Sequence, residues 1–188
     1  MAEARPADTG GPAKISIESI PHTALTRRLD RVILRVGEIS AYIWLVLVAV
    51  IIVNVVLRYV FGRGYILFEE IQWHLFAIGF LIGLSYTMVR DGHVRVDILS
   101  ERWSLRRRAW IDLLGYVLLL LPIIFLVIRY AVPFVERAWT LNEVSAAPGG
   151  LPFRWVIKSF MIWGFLLLAV SAISRIVRCW AFLFGARA

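Results

Sequence analysis

The residues with the most chemistry for their setting lie between Asn54 and Trp73. Asn54 and Arg58 stand four apart, so a helix projects both from one face. Glu69 and Glu70 follow across a short loop, and Trp73 comes one turn later. Apolar runs flank the whole set, so these are polar groups at the edge of hydrocarbon. The spacing invites an ion pair of Arg58 with Glu69 or Glu70. One reading is transport chemistry, because ionisable residues inside spans commonly mark proton or cation paths. The other is a structural or partner-contact role: acids at a helix N-terminus suit its dipole, and an arginine at a helix end can snorkel to the interface. The second reading needs fewer assumptions and is preferred.

The remaining polar groups narrow the chemistry further. A dense motif, Arg90-Asp91-Gly92-His93-Val94-Arg95-Val96-Asp97, follows the second apolar run, with Asp91, His93, Arg95 and Asp97 as its candidate contact residues. It has no nucleophile with an adjacent base and no glycine-rich phosphate cradle, so no enzyme is expected. His74 falls inside an apolar run, whereas His22 and His93 do not. Haem in a bundle usually takes paired axial histidines, so His74 reads as a packed or hydrogen-bonded side chain. One cysteine, Cys179, provides neither a disulfide nor a cysteine-ligated zinc site. No metal or other cofactor is expected. Gly79 and Gly83 form a small-xxx-small pair that would let another helix approach closely.

The elements that must hold these groups follow from hydropathy. Of 188 residues, 60% are hydrophobic, and the mean hydropathy is +0.76, well above a soluble domain. The net charge of +8 could point to nucleic acid, but the basic residues lie beside apolar segments, as in a membrane protein. Four runs, at about Ile39 to Leu57, Phe68 to Val89, Trp110 to Val132 and Phe153 to Ile176, each approach the roughly 20 residues a spanning helix needs. Helices alone satisfy their own backbone in lipid, so the fold class is an all-α integral membrane protein with four transmembrane helices and an N-terminal amphipathic interfacial helix. Pro122 should kink the third unless a neighbour compensates. Trp44, Trp73, Trp110, Trp139, Trp155, Trp163 and Trp180 read as interfacial anchors or packing residues.

Residues 1–22 lack periodicity and read as a disordered cytoplasmic tail, leaving residues 23–188 as the membrane domain. From Thr23 to Glu38, Leu25, Leu29, Val32, Ile33 and Val36 recur at helical spacing, with Arg27, Arg28, Arg31 and Arg35 on the other side. Such an amphipathic helix would lie in the headgroup region, or would simply extend the first span. Lysine and arginine near the helix ends divide unevenly. The N-terminal flank, the second-to-third loop and the C-terminus together hold thirteen, and the other side holds six. The positive-inside rule therefore places both termini in the cytoplasm.

With these residues in view a resemblance becomes specific. Asn-x-x-x-Arg-Tyr-x-Phe (Asn54, Arg58, Tyr59, Phe61), Glu-Glu-x-x-Trp (Glu69, Glu70, Trp73), the Gly79 to Tyr86 run and His93-Val94-Arg95-Val96-Asp97 occur in that order. The chain resembles the small permease, or Q subunit, of tripartite ATP-independent periplasmic (TRAP) transporters. The loop from Asn142 through Gly149-Gly150-Leu151-Pro152 to Arg154, Trp155 and Lys158 is similar to the mannitol or chloroaromatic branch. The resemblance implies a bacterial inner-membrane scaffold subunit packed on a larger permease (M) subunit, which carries the substrate and sodium sites. It also implies a periplasmic solute-binding protein that delivers small organic acids. Membrane lipid is the remaining partner, and no nucleic acid is expected.

That division of labour agrees with the residues themselves. From Ile39 to Val53 and from Ala77 to Thr87 little is present to coordinate a carboxylate or an ion at the bilayer midplane. Two alternatives are a self-contained small carrier or channel, and a membrane anchor of a redox enzyme. The first predicts activity from this chain alone, and the second predicts bound haem or quinone.

Overall fold

The computed structural model describes residues 24–90 and 103–185. The tail of residues 1–22 and the motif of Asp91, His93, Arg95 and Asp97 lie outside the described residues. Every regular element among the described residues is helical, and four helices are long and apolar enough to cross a membrane. They are α1 (Ala24–Tyr59), α2 (Ile66–Val89), α3 (Leu105–Thr140) and α4 (Arg154–Phe184).

α1 runs unbroken for 36 residues, about 54 Å at the usual rise, against a hydrocarbon core of roughly 30 Å. The stretch with two open readings is therefore an extension of the first span, continuous with it. Arg27, Arg28, Arg31 and Arg35 are exposed along its side. Its buried side is Thr26, Asp30, Ile33, Gly37, Ser40, Leu47 and Asn54, spaced by fours and threes and then by sevens, and so keeps one narrow seam against the neighbours. The seam is mostly small or polar, as helix contacts in lipid require when the hydrophobic effect between helices is absent.

α3 differs from expectation at Pro122 and at its end. Residues Gly115–Leu120 form a π-helical segment immediately before the proline. The wider turn shifts the hydrogen-bond register next to a residue with no N–H to donate, so the helix absorbs Pro122 there. The span also continues through Pro133 to Thr140, where the sequence suggested a loop. A single proline removes one backbone bond, and Ala131 before it and Ala138 beyond it are buried, so packing keeps the turns wound. α4 likewise continues past Ile176 to Phe184.

α4 is the helix on which the rest converge. It packs against α1, α2 and α3; α1 packs along α2, and neither makes an extended contact with α3. Its buried arc is correspondingly wide: Gly164, Leu168, Ser171, Ala172, Ser174, Arg175, Arg178, Cys179 and Leu183. Two apolar clusters sit on this arc. Ala109 and Leu113 of α3 meet Cys179 and Leu183, while Met88 of α2 and Ile124 of α3 meet Leu168 and Ala172. Gly164 sets the closest approach, since a Cβ there would stand 2.7 Å from the Leu81 Cβ of α2.

Candidate functional site

The polar side chains gather at the two ends of the helices. One end carries the α1–α2 turn and the α3–α4 loop, and is called the hairpin rim here. The other carries the exposed α1 arginines and the C-terminus of α2, and is called the arginine rim.

At the hairpin rim Arg58, in the last turn of α1, forms an ion pair with Glu69 in the first turn of α2. Both are part-exposed. Of the two expected acids, Glu69 takes the arginine. Glu70 is turned inward and is 8% exposed. Its carboxylate accepts the Ser145 hydroxyl and the Leu151 backbone N–H, 75 and 81 residues away. It thereby pins the α3–α4 loop onto α2.

Gly150 makes this reach possible: a Cβ there would lie 2.5 Å from the Ser145 Cβ and 2.9 Å from the Glu70 Oε1. The loop closes on itself through Ser145 N–H to the Leu151 carbonyl (3.1 Å) and Arg154 N–H to the Glu143 carbonyl (3.1 Å). These bonds hold Phe153 at φ 58°, a left-handed conformation that a side chain normally avoids at a cost of about 1–2 kcal/mol. Glu143 adds a second tie. Its carboxylate accepts Lys158, with Arg154 at 3.9 Å. The Lys158 hydrogen bond, with the nearby Lys158, Arg154 and Arg137 charges, holds the Glu143 carboxyl below its ordinary 4.5 against the opposing effect of desolvation.

Three other predicted residues stand apart from this network. Asn54 is buried, and its Oδ1 has no hydrogen-bond partner. Trp73 is 69% exposed. His74 meets the Glu70 backbone carbonyl through Nδ1, within its own helix.

The arginine rim holds a buried polar group that sequence reasoning had counted only as flanking charge. Arg175, 2% exposed, donates to the Met88 carbonyl at 2.7 Å and the Val89 carbonyl at 3.0 Å. These are terminal carbonyls of α2, at the negative end of its dipole, where a guanidinium is a favourable donor. One residue before, the Ser174 hydroxyl donates to the Asp30 carboxylate of α1 at 2.6 Å. α4 thus fastens α1 and α2 together at this end. The signal was present: Ser171, Ser174, Arg175 and Arg178 recur at three- and four-residue steps, which marks a face turned into the bundle.

Toward the arginine rim, buried hydroxyls bond to carbonyls of their own helices. Ser40 donates to the Gly37 carbonyl, Ser85 to Ile82 and Ser171 to Leu168, each at 2.8 Å. The small-residue pair on α2 is divided: Gly79 lies under the Trp44 ring, where a Cβ would meet the indole at 3.2 Å, whereas Gly83 has nothing within 4 Å. A further glycine that the sequence did not single out, Gly37, lies against the Tyr86 ring.

Four apolar helices with polar rims is an arrangement for a membrane-embedded subunit, and comparison with known families decides which. The family model for tripartite ATP-independent periplasmic transporters, DctQ component, matches residues 47–182. The chain belongs to the DctQ family. DctQ proteins are the small membrane subunit of TRAP transporters, and as a family they work with DctM and a periplasmic binding protein. No curated protein and no solved structure matches the chain. The match covers the hairpin rim and the α2 and α4 side of the arginine rim, through Arg175 and Arg178, whereas the α1 arginines and Asp30 precede it.

Proposed function

We propose that this DctQ chain is the static scaffold against which the large permease subunit moves during sodium-driven uptake of small organic acids. Substrate and sodium stay on the larger subunit. The observation that carries the reading lies at mid-membrane: residues 43–53, 75–82, 117–128 and 160–170 of the four helices include no charged, amide or hydroxyl side chain. A carrier site at that depth would instead present broken helices and free polar groups to a cavity.

In this reading both termini face the cytoplasm, in keeping with the thirteen-to-six division of basic residues. The hairpin rim then faces the periplasm, and its pinned loop offers the binding protein a preformed surface. Asn54, Arg58, Glu69, Glu70 and Trp73 act there as structural or contact residues. Asp91, His93, Arg95 and Asp97 act on the cytoplasmic side. The Asn142 to Lys158 stretch supports membership of the mannitol or chloroaromatic branch.

Reconstitution tests the proposal directly. Three sets of proteoliposomes would hold this chain, the large subunit, or both, with binding protein and a sodium gradient supplied. Uptake is expected only from the third set. Uptake by this chain alone would make it a carrier and end the scaffold reading.

A further inference from the structure

The groove between the arginine-rim halves of α1 and α2 has a volume of about 680 Å³ and is lined by Gly37, Ser40, Ala41, Gly83 and Thr87 among larger neighbours. Its floor contains a glycine that no described residue explains. Gly37, Gly79 and Gly164 each make room for a side chain of this chain, Tyr86, Trp44 and Leu81 respectively, whereas among the described residues a Cβ at Gly83 would meet nothing within 4 Å. Gly115, the other helical glycine in open surroundings, sits in the π segment, where the backbone itself departs from α geometry. Glycine is the poorest helix former after proline, so an unused one inside a regular helix points to an approach from outside.

A second feature lies at the groove's end. Glu38 and Arg90 face each other there at 3.7 Å, both mostly exposed, and Arg90 also sits over the Tyr86 ring. The pair presents one charge of each sign to whatever covers the groove. The exposed surface of α3 is the contrast: Val117, Leu118, Leu119, Ile123, Phe125 and Leu126 are all bulky and apolar, which suits acyl chains.

We infer that the α1–α2 groove seats one transmembrane helix of the large permease subunit, crossing at Gly83 and ending beside Glu38 and Arg90. The inference rests on the proposed function and adds the face of contact. The occupant is a helix with a small residue at the crossing and a polar or charged group at its end, which Glu38 and Arg90 complement. A second copy of this chain fits poorly, because two facing grooves leave both unfilled, and Gly79 is already covered by Trp44.

The test co-expresses the chain with the large subunit of its own transporter and places a photo-crosslinking amino acid at Tyr42 or Leu45 beside the groove, or at Leu118 or Phe125 on α3. Capture of the large subunit is expected from the first two positions only. Gly83→Leu should lower co-purification at least tenfold, and Gly83→Ala less, while the isolated variants keep at least the wild-type melting temperature. Capture from α3 alone, capture of a second copy, retention of only a lipid in the groove, or an undiminished Gly83→Leu complex would each overturn the inference. Failure of the wild-type chains to co-purify at all would instead remove the subunit reading beneath it.

Discussion

At the scale of single residues, adjacent glutamates have opposite assignments. Glu69 shares a part-exposed pair with Arg58, and such pairs contribute at most about 1 kcal/mol. Glu70 is buried and holds a distant loop through two hydrogen bonds to a charged acceptor, each in the range of about 1.5–3 kcal/mol. Glu70→Ala should therefore destabilise the protein by about 3 kcal/mol or more in SDS titration and open residues 141–153 to protease. Glu69→Ala should do neither. Glu143 gives a pH dependence. Its folded carboxyl titrates below the ordinary 4.5, so the unfolded chain binds its proton first as pH falls. The tie to Lys158 is thus fully present above 4.5 and is lost only as pH falls further, through the lowered folded value. Carboxyl NMR should find Glu143 back near its ordinary value in Lys158→Ala. The Arg58–Glu69 pair was legible because a short loop joins its partners, whereas nothing local to Glu70 pointed to Ser145 or Leu151. Its partners became neighbours only once α4 had folded back beside α2.

At the scale of elements, small residues decide which helices can be neighbours. Gly164 has the Leu81 side chain and backbone directly against it, so Gly164→Leu overpacks the α2–α4 contact and should cost about 1–3 kcal/mol. Gly83→Ala in the isolated chain should cost nothing, and should stabilise it slightly as the better helix former, by the same SDS titration. Equal losses from the two would remove the distinction between an internal and an external glycine. Hydropathy located all four spans, since lipid leaves a backbone few alternatives. It misjudged where α3 ends, because Pro133 reads as a stop signal although Ala138 beyond it is buried. It also missed the π segment, whose only trace in sequence is Pro122 itself. The α1 extension was undecided, because arginines on one side and apolar residues on the other describe a headgroup helix and a prolonged span equally well. Asp30 settled it by bonding to Ser174.

At the scale of the whole molecule, orientation follows from charge. Reporter fusions after Gly64 and after Ala147 should read as periplasmic, and fusions after Arg102 and at the C-terminus as cytoplasmic. A cytoplasmic signal after Ala147 would contradict four crossings. The convergence on α4 carries a consequence for synthesis. Translation delivers α1, α2 and α3 to the membrane before the helix that joins them. Until Arg154–Phe184 emerges, the α1–α2 hairpin and α3 lack an extended contact with each other, and the terminal carbonyls of α2 await Arg175. Each newly made copy therefore passes through an interval as two loose pieces in the bilayer, when a membrane protease can still distinguish an unfinished chain from a finished one.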